Sequence, residues 1–209
     1  MALARSMSGS TALAGLLTTL LIGVTSSASA QDANAAPSPD FQHTTTLSGY
    51  IGTARASNTM DLAAGAAMGW QVTPHFGAEM RGFWLKADEH QNAFSAVVAF
   101  RASLRPGHRA VPFVAAGGGV YQMRFDTGFV DAPEFYRQRM TNLSPVLPHY
   151  RFTDPVIALG GGADLFVSRH VAIRPEAMAL IVIGGGDHRT VPAYGLQVAY
   201  HFESDQRIH

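Results

Sequence analysis

The nine histidines are the side chains of this sequence with the widest chemical range, because a neutral imidazole can ligate a metal or accept a proton. None stands at the HxxxH or HExxH spacing that brings two ligands together on a helix. Most fall in predicted connections or near the chain ends: His43, His75, His90, His108, His149, His170, His188 and His209. We therefore predict no metal site and no other cofactor, and we expect only His201 to point into the interior.

A possible nucleophile, base and acid also occur close together, as Ser144, His149 and Asp154. Such a set works only if hydrogen bonds join its members, which sequence cannot show. A membrane-embedded lipid hydrolase of the lipid A deacylase kind would carry a His-x-Ser-Asn motif, and the nearest segment is His188-Arg189-Thr190. We predict no enzymatic activity, with a lipid-modifying enzyme kept as an alternative.

Two glycine triplets, at 117–119 and 160–162, could suggest phosphate loops. Neither continues as GxGxxG or GxxxxGK[ST] into a helix, so a nucleotide site is not predicted. Both lie inside predicted strands. There, glycine would relieve crowding in the interior of a small, strongly curved barrel.

Alternation of bulky apolar with small or polar residues is the main pattern of the chain. Between 191 and 202, for example, Leu196 and Val198 flank Gln197. Successive strand side chains point to opposite faces, so each such segment has one bulky apolar face. The predicted strands are 45–55, 59–72, 76–87, 91–104, 111–125, 154–167, 171–184 and 191–202. Eight antiparallel strands with an apolar outer face predict an all-β, up-and-down transmembrane barrel.

The connections between these strands fall into two sets. The second, fourth and sixth are short, while the fifth, at 126–153, is the longest in the chain. Outer-membrane barrels have short periplasmic turns and longer external loops. The long connection is therefore expected outside the cell. Its segment 131–140 can open a short helix, and its aromatic and arginine side chains could bind a surface ligand or lipopolysaccharide phosphates.

We assign the charged residues to the barrel lumen, because an arginine or lysine facing lipid at mid-depth costs about 2 to 4 kcal/mol. The predicted luminal charges are Asp61, Glu79, Arg81, Arg101, Arg124, Asp164, Arg174 and Glu176. In the fifth strand, this places Phe113, Tyr121 and Phe125 on the lipid face, opposite Arg124. In the third strand, Phe83 and Leu85 share the face of Glu79, which we interpret as a bulge or the end of the membrane-embedded part.

The chain termini are set apart from the barrel. Arg5, an apolar run from Ala12 to Val24 and the sequence Ala28-Ser29-Ala30 predict a cleaved signal peptide at 1–30. Residues 31–44 are predicted to be a flexible lead-in, residues 45–202 the barrel and residues 203–209 a tail. Export with no cysteine excludes disulfides, and 15 scattered basic against 15 acidic side chains do not indicate nucleic acid.

Three segments resemble the small outer-membrane β-barrel family, which includes the transmembrane domain of outer-membrane protein A and its porin-like relatives. They are 111–121 (VPFVAAGGGVY), 160–176 (GGGADLFVSRHVAIRPE) and the closing 199–202 (AYHF). The resemblance covers 45–202 and implies an eight-stranded barrel with no catalytic residue. Family barrels end on an aromatic residue read by the insertion machinery, whereas this chain continues beyond Phe202.

The resemblance implies an integral protein of a Gram-negative outer membrane with a structural or surface-interaction role. An open pore is not predicted, because eight strands leave a lumen only wide enough for side chains. The expected partners are outer-membrane lipid, lipopolysaccharide and the barrel-insertion machinery, with no nucleic acid. Besides the lipid-modifying enzyme, a soluble periplasmic lipocalin-like binder is an alternative, in which the apolar face of the strands would line an internal cavity.

Overall fold

The computed structural model describes residues 45–56, 59–88, 91–104, 106, 108–126, 132–141 and 149–202. The predicted signal peptide, the lead-in and the tail lie outside these residues. Within the described part of the chain, no helix is long and apolar enough to cross a membrane.

Eight antiparallel strands form a closed barrel in chain order, which confirms the predicted fold class. The strands are β1 (Thr45–Ala54), β2 (Asp61–Gln71), β3 (Phe76–Asp88), β4 (Gln91–Ser103), β5 (Ala110–Asp126), β6 (His149–Phe166), β7 (Val171–Gly184) and β8 (Asp187–Phe202). β1 closes the barrel on β8, with Thr45 opposite Phe202 and Ala54 opposite Ala193. One helix, α1 (Glu134–Thr141), lies between β5 and β6.

The two ends of the barrel differ in their connections. The turn end has the connections after β2, β4 and β6, which are four to six residues long, together with the start of β1 and the end of β8. The loop end has the other four, including the long connection that contains α1. At the loop end, the connections after β3 and β7 have two residues each, so only the connection after β5 is long. β6 and β8 begin at His149 and Asp187, several residues earlier than predicted, so both continue farther toward the loop end.

Two groups of glycines are required by the local backbone. Gly185 and Gly186 form the turn between β7 and β8 with φ of 63° and 83°, as a two-residue hairpin turn with right-handed strand twist requires. In the first triplet, a β-carbon on Gly119 would lie 1.9 Å from the Ala96 carbonyl oxygen, and one on Gly117 would lie 2.2 Å from that of Val98. β4 and β5 could not approach this closely with larger residues there.

Side chains alternate between lumen and outer surface as predicted in β2, β4, β6, β7 and β8, and β1 alternates in the same way. β3 is also regular up to Lys86, with Phe83 and Leu85 buried inside at 3% and 1% exposure. The interpretation of these two residues as a bulge or a membrane exit was therefore wrong. The register shift in β3 comes later, between Lys86 and Asp88.

The predicted faces of β5 were inverted. Phe113, Tyr121 and Phe125 are buried inside the barrel, at 2%, 0% and 0% exposure, whereas Arg124 points outward and is exposed. Both faces of β5 are apolar over most of its length, so Arg124 alone decided the prediction. That residue lies near the loop end of a 17-residue strand, and about ten residues suffice to cross the hydrocarbon.

Candidate functional site

The lumen near the turn end is filled by buried charges. β3 supplies Glu79 and Arg81, and β7 supplies Arg174 and Glu176, because residues two apart share a face of a strand. β6 adds Asp164. These five side chains are between 0% and 5% exposed, so each ion depends on the others for its partners.

These charges form one sequence of alternating sign, which we call the ion chain. It runs Arg101, Asp164, Arg174, Glu79, Arg81, Glu176. At its centre, the Arg174 Nε lies 2.6 Å from Asp164 Oδ1, and its Nη1 lies 2.8 Å from Glu79 Oε2. Three positive and three negative groups cancel, so the lumen carries these ions without net charge.

Neutral side chains extend the ion chain around the barrel wall. Gln197 of β8 donates a hydrogen bond to Glu176 and accepts one of 2.8 Å from the Ser48 hydroxyl of β1. The Phe113 ring packs against guanidinium groups, with its centroid 4.0 Å from the Arg101 Cζ and 5.4 Å from that of Arg174. Sequence reasoning missed this contact because it placed Phe113 on the lipid face.

Two of the predicted luminal charges are not part of the ion chain. Arg124 is on the outer surface, so its assignment to the lumen was wrong. Asp61 lies at the loop end opposite Ala54, and its carboxylate accepts hydrogen bonds of 3.0 and 3.1 Å from the Thr59 hydroxyl. The alternation predicted its face but not its depth.

The lumen near the loop end is filled mainly by apolar side chains, although Gln91, Ser95 and Asp154 are also buried there. We call this part the apolar layer: Tyr50, Phe83, Leu85, Tyr121, Met123, Phe125, Phe152, Leu180, Val182 and Val191. All are at most 7% exposed. Side chains therefore fill the barrel interior at both levels, with the ion chain toward the turn end and mainly apolar side chains toward the loop end.

Residues 132–141, which include α1, cover the apolar layer, and we call them the cap. The short helix predicted in this connection is present, and Tyr136 on it is 0% exposed. The Tyr136 ring centroid lies 5.1 Å from that of Phe125 and 5.3 Å from that of Phe152. Burial raises the pKa of the Tyr136 phenol above its ordinary value, so the hydroxyl stays neutral in the physiological range.

One ion pair fastens the cap to the barrel wall. Arg139 Nη1 lies 2.8 Å from Asp154 Oδ2, and the Arg139 guanidinium carbon lies 4.6 Å from the Phe152 ring centroid. Asp154 is only 4% exposed. The cap is thus held by aromatic packing and by a charge that it places over the lumen.

Little free space remains beside the ion chain. A cavity lined in part by Arg81, Glu176 and Met178 has a volume of about 10 Å³. This is about the volume that one water molecule requires, so no substrate fits there.

The structure separates the two described members of the candidate hydrolase set. His149 is exposed and its Nδ1 lies 2.8 Å from Asp126 Oδ1, whereas Asp154 is buried against Arg139. The two residues differ by an odd number of positions along β6, so they point to opposite faces. Ser144 lies outside the described residues.

The histidines that the structure describes do not gather at one place, and no described cluster of histidine, aspartate and glutamate could hold a metal. His201 points inward near the turn end, as expected, and its Nδ1 lies 3.3 Å from the Thr46 hydroxyl. His75 and His170 contact backbone carbonyl oxygens of neighbouring strands, at 3.1 and 3.2 Å. Three of the nine, His43, His90 and His209, lie outside the described residues.

The outer surface is apolar through the middle of the barrel. Its exposed side chains include Ile51, Leu62, Met80, Val98, Ile157, Leu159, Leu196 and Val198, each at least 43% exposed. Aromatic side chains flank this band at both ends: Trp70, Phe76, Phe100, Tyr200 and Phe202 near the turn end, and Trp84 and Phe94 near the loop end. An apolar band between two aromatic girdles is typical of transmembrane barrels.

No family model and no curated protein matches the chain. Among solved structures, it is similar to the N-terminal β-barrel domain of Pseudomonas aeruginosa OprF (TM-score 0.55, 13% identity, covering 77% of this chain and 98% of that one). It is also similar to Neisserial surface protein A (0.53, 11%, 77% and 97%) and to Ail, the attachment invasion locus protein of Yersinia pestis (0.50, 11%, 78% and 100%). The resemblance inferred from the sequence is thus confirmed for the fold.

Proposed function

We propose that this protein is an integral barrel of a Gram-negative outer membrane, with a closed lumen and a structural or surface-interaction role. The apolar outer band between aromatic girdles is the observation that carries the proposed location. A water-soluble protein rarely exposes contiguous apolar patches of more than a few hundred Å². A lipocalin-like binder would need the reverse arrangement, with the polar face outside and the apolar face around a cavity.

Heat-modifiable migration tests the proposed location. Outer-membrane fractions are run on detergent gels with and without boiling, because a folded barrel resists detergent and migrates differently once denatured. We expect two positions for the full chain, and resistance of the unboiled form to carbonate extraction from membranes. A single position, together with release by carbonate, would contradict an integral barrel.

The single long connection, between β5 and β6, supports an orientation with the loop end and the cap outside the cell. Because the chain contains no cysteine, single cysteines can report it. A membrane-impermeant maleimide on intact cells should label Gln138→Cys on the cap and leave Arg169→Cys in a turn unlabelled until the outer membrane is permeabilised; both positions are exposed. Labelling of position 169 alone on intact cells would reverse the orientation.

The ion chain and the apolar layer support a sealed barrel rather than a diffusion pore. Purified protein in planar bilayers is expected to give no steady conductance, because each layer fills the lumen with side chains. An open porin inserted into the same bilayer serves as the positive control. Stable, ohmic channels from the folded protein would rule out the sealed lumen.

The cap gives the proposed surface role a defined structure. Tyr136 and Arg139 anchor it, while Glu134, Arg137 and Gln138 are exposed. A rigid base with exposed polar side chains suits contact with a partner outside the cell. At the turn end, the outward-facing Phe202 is 46% exposed, which supports recognition by the barrel-insertion machinery.

A further inference from the structure

Polar residues with three positive charges form a continuous row on the outer surface near the loop end. Cross-strand pairing places Lys86 of β3 opposite Asn92, Asn92 opposite Arg124, and Arg124 opposite Arg151 of β6. All four point outward and are exposed. We call these four residues the basic row.

On these strands, the basic row lies one step closer to the loop end than the exposed aromatic side chains. One step lower on the same face, Trp84 and Phe94 are opposite each other and 43% and 47% exposed. Beside them, Gln122 donates a hydrogen bond of 3.2 Å to the Thr153 hydroxyl. Two residues farther toward the turn end on the same face of β5, the outer surface is apolar, and Val120 is 48% exposed. Aromatic girdles lie at the membrane interface, so the basic row lies at headgroup level.

Within the part of the chain that the structure describes, no carboxylate pairs with the cations of the basic row, whereas every arginine of the ion chain has such a partner. None of the three forms an ion pair with another described residue. The nearest carboxylate on the same face of β5, that of Asp126, is 2.8 Å from His149. Like charges directly opposite each other on adjacent strands are unfavourable, and Arg124 faces Arg151 in this way. A bound anion would remove the repulsion.

We propose that the basic row binds the phosphate groups of an anionic glycolipid in the outer leaflet, the lipid A part of lipopolysaccharide. This rests on the proposed outer-membrane location. Guanidinium groups bind phosphate through paired hydrogen bonds. Lys86 and Arg151 are three strand spacings apart, about 14 Å, which suits a disaccharide with a phosphate at each end. Its acyl chains would continue down over Phe94 and Val120, contacts that a soluble anion could not use.

Native mass spectrometry of the refolded full chain, titrated with bisphosphorylated lipid A in detergent, tests the site. The triple variant Lys86→Gln, Arg124→Gln, Arg151→Gln should bind lipid A on the order of 100-fold more weakly, since each basic residue near an anionic surface contributes about 5-fold. The control variant Arg55→Gln, Arg109→Gln, Arg169→Gln removes the same charge from exposed positions elsewhere and should bind like the wild type. Equal affinity of the two triple variants would overturn the proposal.

Two further ligands separate a lipid site from general anion binding. Monophosphorylated lipid A should bind more weakly than the bisphosphorylated form to the wild type, and equally to the triple variant. Excess inorganic phosphate should not displace lipid A, and full displacement would refute the lipid as occupant. Arg124→Lys keeps the charge without the paired hydrogen bonds and should give an intermediate affinity.

The same samples separate failure of this site from failure of the proposed location. Each variant is first checked for heat-modifiable migration, since outward polar substitutions should not prevent folding. A wild type that does not fold into bilayers would contradict the membrane location itself. Folded protein with no preference for bisphosphorylated lipid A would overturn only the glycolipid site.

Discussion

Replacing Arg174 with alanine is expected to lower the free energy of unfolding of the barrel by about 3 to 5 kcal/mol. Arg174 is 0% exposed and bridges Asp164 and Glu79 at the centre of the ion chain. Its removal leaves each carboxylate with only one arginine partner in a space that has almost no water. Unfolding in urea with detergent, followed by tryptophan fluorescence or gel migration, measures the loss.

The matched control is Arg137→Ala on the cap. Arg137 also pairs with a carboxylate, that of Glu134, but its side chain is 53% exposed. Exposed pairs contribute about 0.2 to 1 kcal/mol, so this variant should unfold close to the wild type. Equal midpoints for the two variants would contradict a closed, ion-filled lumen.

Leu196→Arg should impair assembly into membranes by about 2 to 4 kcal/mol, the cost of an arginine at mid-depth on the lipid face. Leu196 is 52% exposed and lies near the middle of β8, between Ile51 and Pro175 on the adjacent strands. Thr190→Arg is the control, because Thr190 is exposed on the same face of the same strand near the loop end. There the cost should fall to about 0 to 1 kcal/mol.

The folded fraction recovered from urea into lipid vesicles measures both variants. Labelling of single introduced cysteines tests independently which face of β8 contacts lipid. A probe confined to the hydrocarbon should label a cysteine at 196 and spare one at 197, since Gln197 is 1% exposed inside the lumen. The reverse labelling, or equal folding of the two arginine variants, would contradict the outward apolar band.

The alternation of residue types predicted the fold because it specifies which face of each strand is apolar. A shift of one position would turn every side chain of a strand to the opposite face, so the pattern fits only one arrangement. It worked where one face was clearly bulky, as around Leu196 and Val198. The predicted faces of β5 were inverted because both faces are apolar. In addition, Arg124 lies near the loop end of the strand, where an outward charge costs little free energy. Periodicity gives the face of a residue, but not its height along the barrel axis.

The candidate site was less accessible from sequence than the fold. Six of the eight predicted charges form the ion chain. A charge on the lipid face at mid-depth is costly, whereas inside the lumen these groups can pair with each other. Their order of pairing depends on strand register and tilt, which no local pattern contains. The anchoring role of Tyr136 could not be predicted either, because it depends on Phe125 and Phe152, and Phe125 had been assigned to the wrong face.

The ion chain also has a consequence for the time course of assembly. Two of its links, Arg174 with Glu79 and Arg81 with Glu176, join β7 to β3, and in each the two residues are 95 positions apart in the chain. These two contacts form only when the sheet closes into the barrel, so they are absent from any earlier, open sheet. Interactions that form after the transition state slow unfolding and leave the folding rate almost unchanged. The ion chain would then act as a kinetic lock, lengthening the lifetime of the closed barrel without hastening its formation.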